Sequence, residues 1–341
     1  MEKEAPSPLI SVIIPTFNRA ELLTSALESL ASQSVPNHLY EIVVIDDGSS
    51  DATNEVCQAF SLRAKLKYWR IDNSGISAAK NLGVFVSRSP ILLFFDDDDV
   101  ADSNLIKQHL QFHEKNPEEE IAMLGYTTWS PSLHVSELMH YVTDIGHFLF
   151  SYSNLTDGQV LDYTYFWGGR SSCKRLLLVN HGIFNQQFRF GSEDIELGYR
   201  LSKFGLKVIF NRNAIQYMNR PLTYDEFCRR CEKQGISQYM FSRLHADAEI
   251  QHYCQVIDAE VRWRDIEHSL EGKVSRIHEM ERLLALQTDA DGRSLLLDEL
   301  WELYKWTFNA FKIKGIVEAK SVSNKIPGQV VERAIQYSAA L

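Results

Sequence analysis

For its first 220 or so residues the chain alternates short apolar runs with amphipathic stretches. Residues 10–14 (ISVII) form a β-rich run closed by Pro15; after the polar Thr16-Phe17-Asn18-Arg19, Leu22, Leu23, Ala26, Leu27 and Leu30 recur at helical spacing. That order predicts strand, loop, helix. Residues 42–45 (IVVI) read as a second buried strand, which ends in Asp46-Asp47-Gly48-Ser49-Ser50-Asp51. Gly and Ser there supply a turn, and Asp51 is a candidate helix cap. Residues 66–71 make a third strand, followed by Asn73-Ser74-Gly75 and a helix carrying Ala78, Ala79, Lys80, Asn81 and Gly83. Residues 91–95 (ILLFF) are the fourth and stop against Asp96-Asp97-Asp98-Asp99. A run that short and apolar suits a strand covered on both faces, although periodicity alone does not separate it from a piece of buried helix. The alternation of the elements predicts an α/β fold with a doubly wound, largely parallel sheet and right-handed crossovers.

Downstream the pattern changes. Residues 125–167 hold no single period but are dense in aromatics (Tyr126, Trp129, Tyr141, Phe148, Phe150, Tyr152, Tyr163, Tyr165, Phe166, Trp167), expected mostly as core and loop packing with some available to stack on sugar faces. Gly168-Gly169 opens a segment leading to Gly191-Ser192-Glu193-Asp194 and an amphipathic helix through Leu201. Ser192 is a candidate cap, and the Glu193-Asp194 pair reads equally as a helix start or as functional carboxylates. Residues 207–210 read as a short strand. Beyond Pro221 the chain reads as helical: Ile250, Tyr253, Ile257, Val261, Ile266, Leu270, Val274, Ile277 and Leu284 keep near-helical spacing over 246–287, and Leu296, Leu300, Tyr304, Phe308 and Phe311 mark a helix over 294–313. Such stripes must pack on each other, on the preceding domain or on another subunit.

The composition, 341 residues with 45% hydrophobic and 23% charged, is that of an ordinary globular protein, and the length suggests two units or one large domain with an extension. A net charge of −10 argues against a general nucleic-acid binder. Residues 1–8 lack the pattern of a signal peptide, and no apolar run reaches the roughly 18 residues of a membrane span. A cytoplasmic protein is expected, at most peripheral to a membrane. Five scattered cysteines suit a reducing compartment, and Cys228 and Cys231 read as ordinary helix positions. His109 and His113, four apart, read as solvated helix positions, since no third ligand accompanies them.

The acidic run carries the chemistry. Carboxylates at the C-terminal end of a strand lie where open α/β sheets bind ligands. Two carboxylates about 4 Å apart repel by roughly 4 kcal/mol at an effective dielectric near 20, so four in succession need a compensating cation. Oxygen ligands without a thiol favour Mg²⁺ or Mn²⁺, which recruit substrate phosphates as further ligands. The competing reading is a solvated acidic turn.

Taken together, SVIIPTFNR (11–19), VVIDDGSSD (43–51), NSGISAAKNLG (73–83), FFDDDD (94–99) and GSEDIELGYRL (191–201) resemble the family 2 glycosyltransferases over about residues 9–240, with all five motifs in the family's order. The resemblance implies a GT-A fold and an inverting, metal-dependent transfer from a UDP-sugar. It implies that Phe17 lies against the nucleobase, that Pro15 belongs to the donor nucleotide site, that Asp47 accepts from a uracil imide and that Lys80 approaches the diphosphate. Asp96 and Asp98 match the D-x-D element, with Asp98 as ligand of Mn²⁺ or Mg²⁺, Asp96 near the ribose or the metal's waters, and Asp97 beside them on the donor. Asp194, preceded by Glu193, matches the catalytic base, while Trp167 and Gly168 fall on the acceptor side. Two positions depart from the pattern: Ile215-Gln216-Tyr217-Met218-Asn219 stands where the family often has a His as a further metal ligand, and Ser103 stands where it usually has Pro.

The expected organisation is a GT-A domain over 1–220, with a donor half at 9–100 and an acceptor and base half at 120–220, and a helical extension over 221–341 for oligomerisation or acceptor binding. The expected partners are a UDP-sugar and a glycan, glycolipid, protein or small-molecule acceptor. The alternatives are a non-catalytic nucleotide-sugar-binding scaffold, or a sugar nucleotidyltransferase, against which the missing Gly-rich basic loop near the N-terminus counts.

Overall fold

The structure, a computed structural model, describes residues 7–287 and 289–325. The chain divides into two compact units. The first is built from the described residues up to Val135, from Tyr152–Arg189 and from Glu193–Pro221. The second comprises Ser136–Ser151, Phe190–Ser192 and, among the described residues, those from Leu222 onwards.

The first unit is the α/β unit. Its elements are β1 (Ile10–Thr16), α1 (Ala20–Ala31), β2 (Tyr40–Asp46), α2 (Thr53–Ser61), β3 (Leu66–Arg70), α3 (Ile76–Val86), β4 (Ile91–Phe94), β5 (Asp99–Ala101), α4 (Leu105–Lys115) and β6 (Ile121–Trp129). In the second unit α5 (Glu137–His140) runs on into a π-helical turn at Tyr141–Ile145. The α/β unit resumes with β7 (Val160–Leu161), β8 (Ser171–Lys174), α6 (Arg175–His181), α7 (Glu193–Ser202) and β9 (Lys207–Met218). Its sheet runs β3-β2-β1-β4-β8-β6-β9-β5, with β7 added on β9.

The four apolar runs pair as parallel neighbours, β2 with β3 and β1 with both β2 and β4. β1 and β2 are buried almost throughout, as unbroken apolar runs require when helices cover both faces. Past β4 the sheet becomes mixed: β8 lies antiparallel between β4 and β6, β9 runs parallel to β6, and β5 and β7 are antiparallel to β9. β9 is longer than the expected 207–210. The register with β6 jumps from Gly125↔Asn211 to Tyr126↔Ile215, so the polar Arg212-Asn213 bulges out and the strand continues beyond it.

His109 and His113 are not solvated, which corrects the sequence reading. They are 0% and 3% exposed on the inner face of α4, and each has a ring nitrogen 2.8 Å from the Ser172 hydroxyl on β8. Burial pushes the His109 pKa down to about 3; burial, then Lys174 and His109, push that of His113 to about 2. A polar network thus replaces a purely apolar contact under this part of the sheet.

The second unit is helical: α8 (Tyr224–Leu244), α9 (Ala248–Tyr253), α10 (Ala259–Leu286) and α11 (Ala290–Lys325). Thr223 and Glu226 close a capping box that starts α8, and Cys228 and Cys231 are buried positions within it. The stripe read over 246–287 is interrupted, because Gln255 and Asp258 take left-handed conformations between α9 and α10 and leave Ile257 exposed. α11 extends beyond the expected 294–313 at both ends. Leu300, Tyr304 and Phe308 are buried on it; Tyr304 stacks with Phe308 and with Tyr224 of α8, and both rings pack at a tilt against Tyr141. Tyr141 is one of the aromatics that showed no period in the sequence; it belongs to this core.

Candidate active site

The loops at the C-terminal ends of β1, β2 and β4 meet at one edge of the α/β unit, joined by the turn before β8 and the start of α7. Phe17 follows β1 and is 44% exposed, free to cover a planar ligand. Asp47 follows β2; its two carboxylate oxygens accept from the backbone N–H groups of Ser74 (2.7 Å) and Gly75 (2.9 Å). Burial nonetheless leaves its pKa above the ordinary value, against the pull of those bonds. Pro15 is within β1 itself.

Exposure alternates along the acidic run. Asp97 and Asp99 are buried at 4% and 0%, while Asp96 and Asp98 are partly open. Asp97 accepts from Thr16 Oγ1 (2.7 Å) and from Arg19 Nη1 (2.8 Å), and burial pushes its pKa up to about 6 despite Arg19. The same Arg19 nitrogen lies 3.2 Å from Asp98 Oδ2. On the inner side Arg170 bridges Asp96 (2.8 Å) and Asp99 (3.3 Å). Burial would raise Asp96, but Arg170, Lys80 and Arg19 outweigh it and hold its pKa below the ordinary value. Asp99 goes the other way: burial and the neighbouring acids push it well above. Gln216 of β9, at the position where a His was sought, donates to Asp99 and to the Gly169 carbonyl (2.9 Å). The compensating cation that the run demanded is therefore supplied in part by two guanidinium groups that the sequence reading did not single out. The charge balance was the available signal; which arginines satisfied it was a matter of topology.

Lys80 lies on the buried face of α3, 2% exposed, with Nζ 2.9 Å from Glu193 Oε1. Burial alone would lower its pKa; Glu193, Asp194 and Asp96 together raise it. Read from sequence as a diphosphate contact, its ammonium is committed here to the carboxylates at the start of α7. Asp194, the next residue, is half-buried. One of its oxygens accepts from the Gly168 N–H (2.8 Å) and the other from the Ile195 N–H (2.8 Å). Burial, then the neighbouring Glu193, push its pKa up to about 6, against Lys80. Trp167 is half-buried with its indole N–H donated to the Thr164 carbonyl (2.8 Å).

The glycine pair explains how these groups come so close. A Cβ on Gly168 would sit 2.5 Å from Lys80 Nζ and 3.1 Å from Asp194 Cβ, and one on Gly169 would sit 2.2 Å from Asp96 Oδ2. The turn before β8 thus passes close between the acidic run and the Glu193-Asp194 pair on α7, an approach that side chains there would crowd. The expected residues from β1, β2, β4, the turn before β8 and α7 all belong to the α/β unit.

Residues 11–164 match the family model described as Glycosyl transferase family 2. A validoxylamine A glucosyltransferase of Streptomyces hygroscopicus subsp. jinggangensis is 28% identical over 240 residues, 61% of this chain and 54% of that protein. The uncharacterized glycosyltransferase YfnE of Bacillus subtilis is 26% identical over 250 residues, 60% of this chain and 63% of YfnE. The matches thus span between about half and two thirds of these curated relatives' own length. Among solved structures, the mannosyltransferase PcManGT from Pyrobaculum calidifontis, in complex with GDP-Man and Mn²⁺, superposes with a TM-score of 0.60 at 17% identity, covering 94% of this chain and 89% of that one. S. aureus TarS 1-349 in complex with UDP gives 0.51 at 18% identity, covering 89% and 91%. The family match over residues 11–164 and the backbone superpositions agree with each other, and the fold is the GT-A fold of glycosyltransferases.

Proposed function

We propose that this protein transfers a sugar, with inversion, from a UDP-sugar to an acceptor hydroxyl, and that Asp194 is the general base. The observation that carries this reading is the state of Asp194: a half-buried carboxylate with a pKa pushed up to about 6, oriented by two backbone N–H groups, on the same edge as the acidic run. A base tuned towards neutrality accepts a proton from a hydroxyl and still stays ionised at pH 7. As Asp194 takes the acceptor proton, the acceptor oxygen bonds to the anomeric carbon and the bond from that carbon to the diphosphate breaks, releasing UDP. Glu193 and Lys80 position Asp194 from the side; Trp167 and Gly168 border the acceptor. Phe17 and Asp47 take the nucleobase, with Pro15 setting the end of β1 beneath it. The neighbours support a nucleotide-sugar donor: TarS has been solved with UDP and UDP-GlcNAc, and PcManGT with GDP-Man.

The residues present fit a divalent ion that is held largely by substrate. Among the described residues no cluster of three or more His, Cys, Asp or Glu is arranged to hold one, so an all-protein cage does not fit. Two partly open carboxylates, Asp98 and Asp96, match the way Mg²⁺ or Mn²⁺ is taken up with substrate phosphates. Asp98 would be the direct ligand, with Asp96 beside it and Asp97 held back by Thr16 and Arg19. When bound, the ion would supply charge stabilisation for the departing diphosphate.

The test is UDP release from a panel of UDP-sugars with and without Mn²⁺, for the native protein, Asp98→Ala and Asp194→Asn. Release from one donor, dependent on metal and lost in Asp98→Ala, is expected. Full transfer by Asp194→Asn would overturn the assignment of the base, and failure to bind UDP at all would overturn the donor site.

A further inference from the structure

We infer that Arg19 is an internal counter-cation that holds Asp98 while no divalent ion is present, and that it thereby couples uptake of the ion to uptake of the diphosphate. The inference rests on the reading of Asp98 as the ion's ligand. Arg19 closes the first motif: its backbone carbonyl accepts from Leu23 N–H (2.9 Å) at the start of α1, while its side chain reaches across to the acidic run. A single nitrogen, Nη1, meets both Asp97 (2.8 Å) and Asp98 (3.2 Å).

The two guanidinium groups at this run differ in what they are free to do. The Arg170 side chain is 10% exposed and wedged between Asp96 and the fully buried Asp99, a fixed structural charge. The Arg19 side chain is 38% exposed, and of its two carboxylates Asp97 has a second partner in Thr16, while Asp98 is itself partly open. Arg19 can turn away from Asp98 without leaving Asp97 bare. A cation at 3.2 Å from Asp98 and a divalent ion on the same carboxylate oppose each other, so the ion by itself must displace or face Arg19. A diphosphate changes this balance, because it offers the displaced guanidinium a new anionic partner of the kind arginine binds in a fork. Ion and nucleotide then favour each other, and the coupling is reciprocal.

Mn²⁺ binding is read from the loss of the free-ion EPR signal, first with Mn²⁺ alone and then with UDP, for the native protein, Arg19→Gln, Arg19→Ala, Arg19→Lys and Asp98→Ala. Both neutral variants are expected to bind Mn²⁺ alone roughly tenfold more tightly than the native protein, and to gain less from UDP, in line with couplings of about 5–150-fold. Arg19→Lys, which keeps the charge but not the fork, is expected to bind Mn²⁺ alone as weakly as the native protein does. The inference is overturned if the neutral variants bind Mn²⁺ no more tightly while Asp98→Ala abolishes binding, or if Arg19→Lys binds as tightly as Arg19→Gln. Native-like Mn²⁺ binding by Asp98→Ala would instead overturn the assignment of the ligand, a distinguishable failure.

Discussion

Replacing His109 with Gln should change how stability depends on pH, by an amount the structure allows to be worked out. His109 is fully buried with Nδ1 2.8 Å from Ser172 Oγ, its Nε2 has no hydrogen-bond partner among the described residues, and its pKa is about 3 because burial penalises the charged ring. The unfolded chain takes up this proton below about pH 6.5, while the folded chain refuses it until about pH 3. Protonation therefore favours unfolding, and the stabilising effect of the neutral ring is lost as pH falls from 6.5 towards 3. Integrating that difference gives a loss of about 1.4 kcal/mol at pH 5.5 and about 2.7 kcal/mol at pH 4.5. Asp97 and Asp194 act in the opposite direction. Their folded pKa values of about 6 lie above the ordinary 3.8, so between those values their protonation adds stability as pH falls and masks the histidine in the native curve. The difference between native and His109→Gln removes them. Urea unfolding followed by tryptophan fluorescence at pH 7.5, 5.5 and 4.5 should show the native protein losing its advantage over the variant by those amounts. Parallel stability curves for the two proteins across that range would refute the argument.

The remaining predictions concern the site. The pH profile of kcat/KM should fall on its acid side through about pH 6, as Asp194 becomes protonated, and Asp194→Asn should lower kcat by about 10²–10⁴-fold with UDP affinity unchanged by calorimetry. Gly169→Ala drives a Cβ into the Asp96 carboxylate, 2.2 Å away, and should weaken Mn²⁺-dependent UDP binding measured by the same method; unchanged affinity would show that the turn yields freely. Arg170→Met strips the buried Asp99 and the neighbouring Asp96 of their common partner and should cost about 3–5 kcal/mol in urea unfolding, with partial recovery in the double variant with Asp99→Asn.

The parallel half of the sheet was legible because its strands are covered on both faces, and the apolar runs at 10–14, 42–45 and 91–95 state that burial directly. The edge where Asp47 and the acidic run emerge was legible for the same reason, since strand ends follow from strand positions. Gly168-Gly169 and Glu193-Asp194 were visible as motifs, yet nothing local joined them to Lys80, far upstream. Their meeting depends on β8 inserting antiparallel between β4 and β6, a pairing that leaves no period in the residues themselves. The same holds for His109 and His113, whose helix face becomes interior only because Ser172 of β8 lies opposite, and for Tyr141, drawn into the helical core by Tyr304 and Phe308.

The order of residues was thus enough to say where apolar runs must become strands and helices, and that a concentration of carboxylates at a strand end requires positive charge. Which groups answer that requirement was settled in three dimensions: Arg19 from the first loop, Arg170 from the turn before β8 and Lys80 beside Glu193. Burial of an apolar run is a local property that every residue in it reports, whereas neutralising a buried charge takes a partner that any distant segment can bring, and only the path of the chain selects which one does.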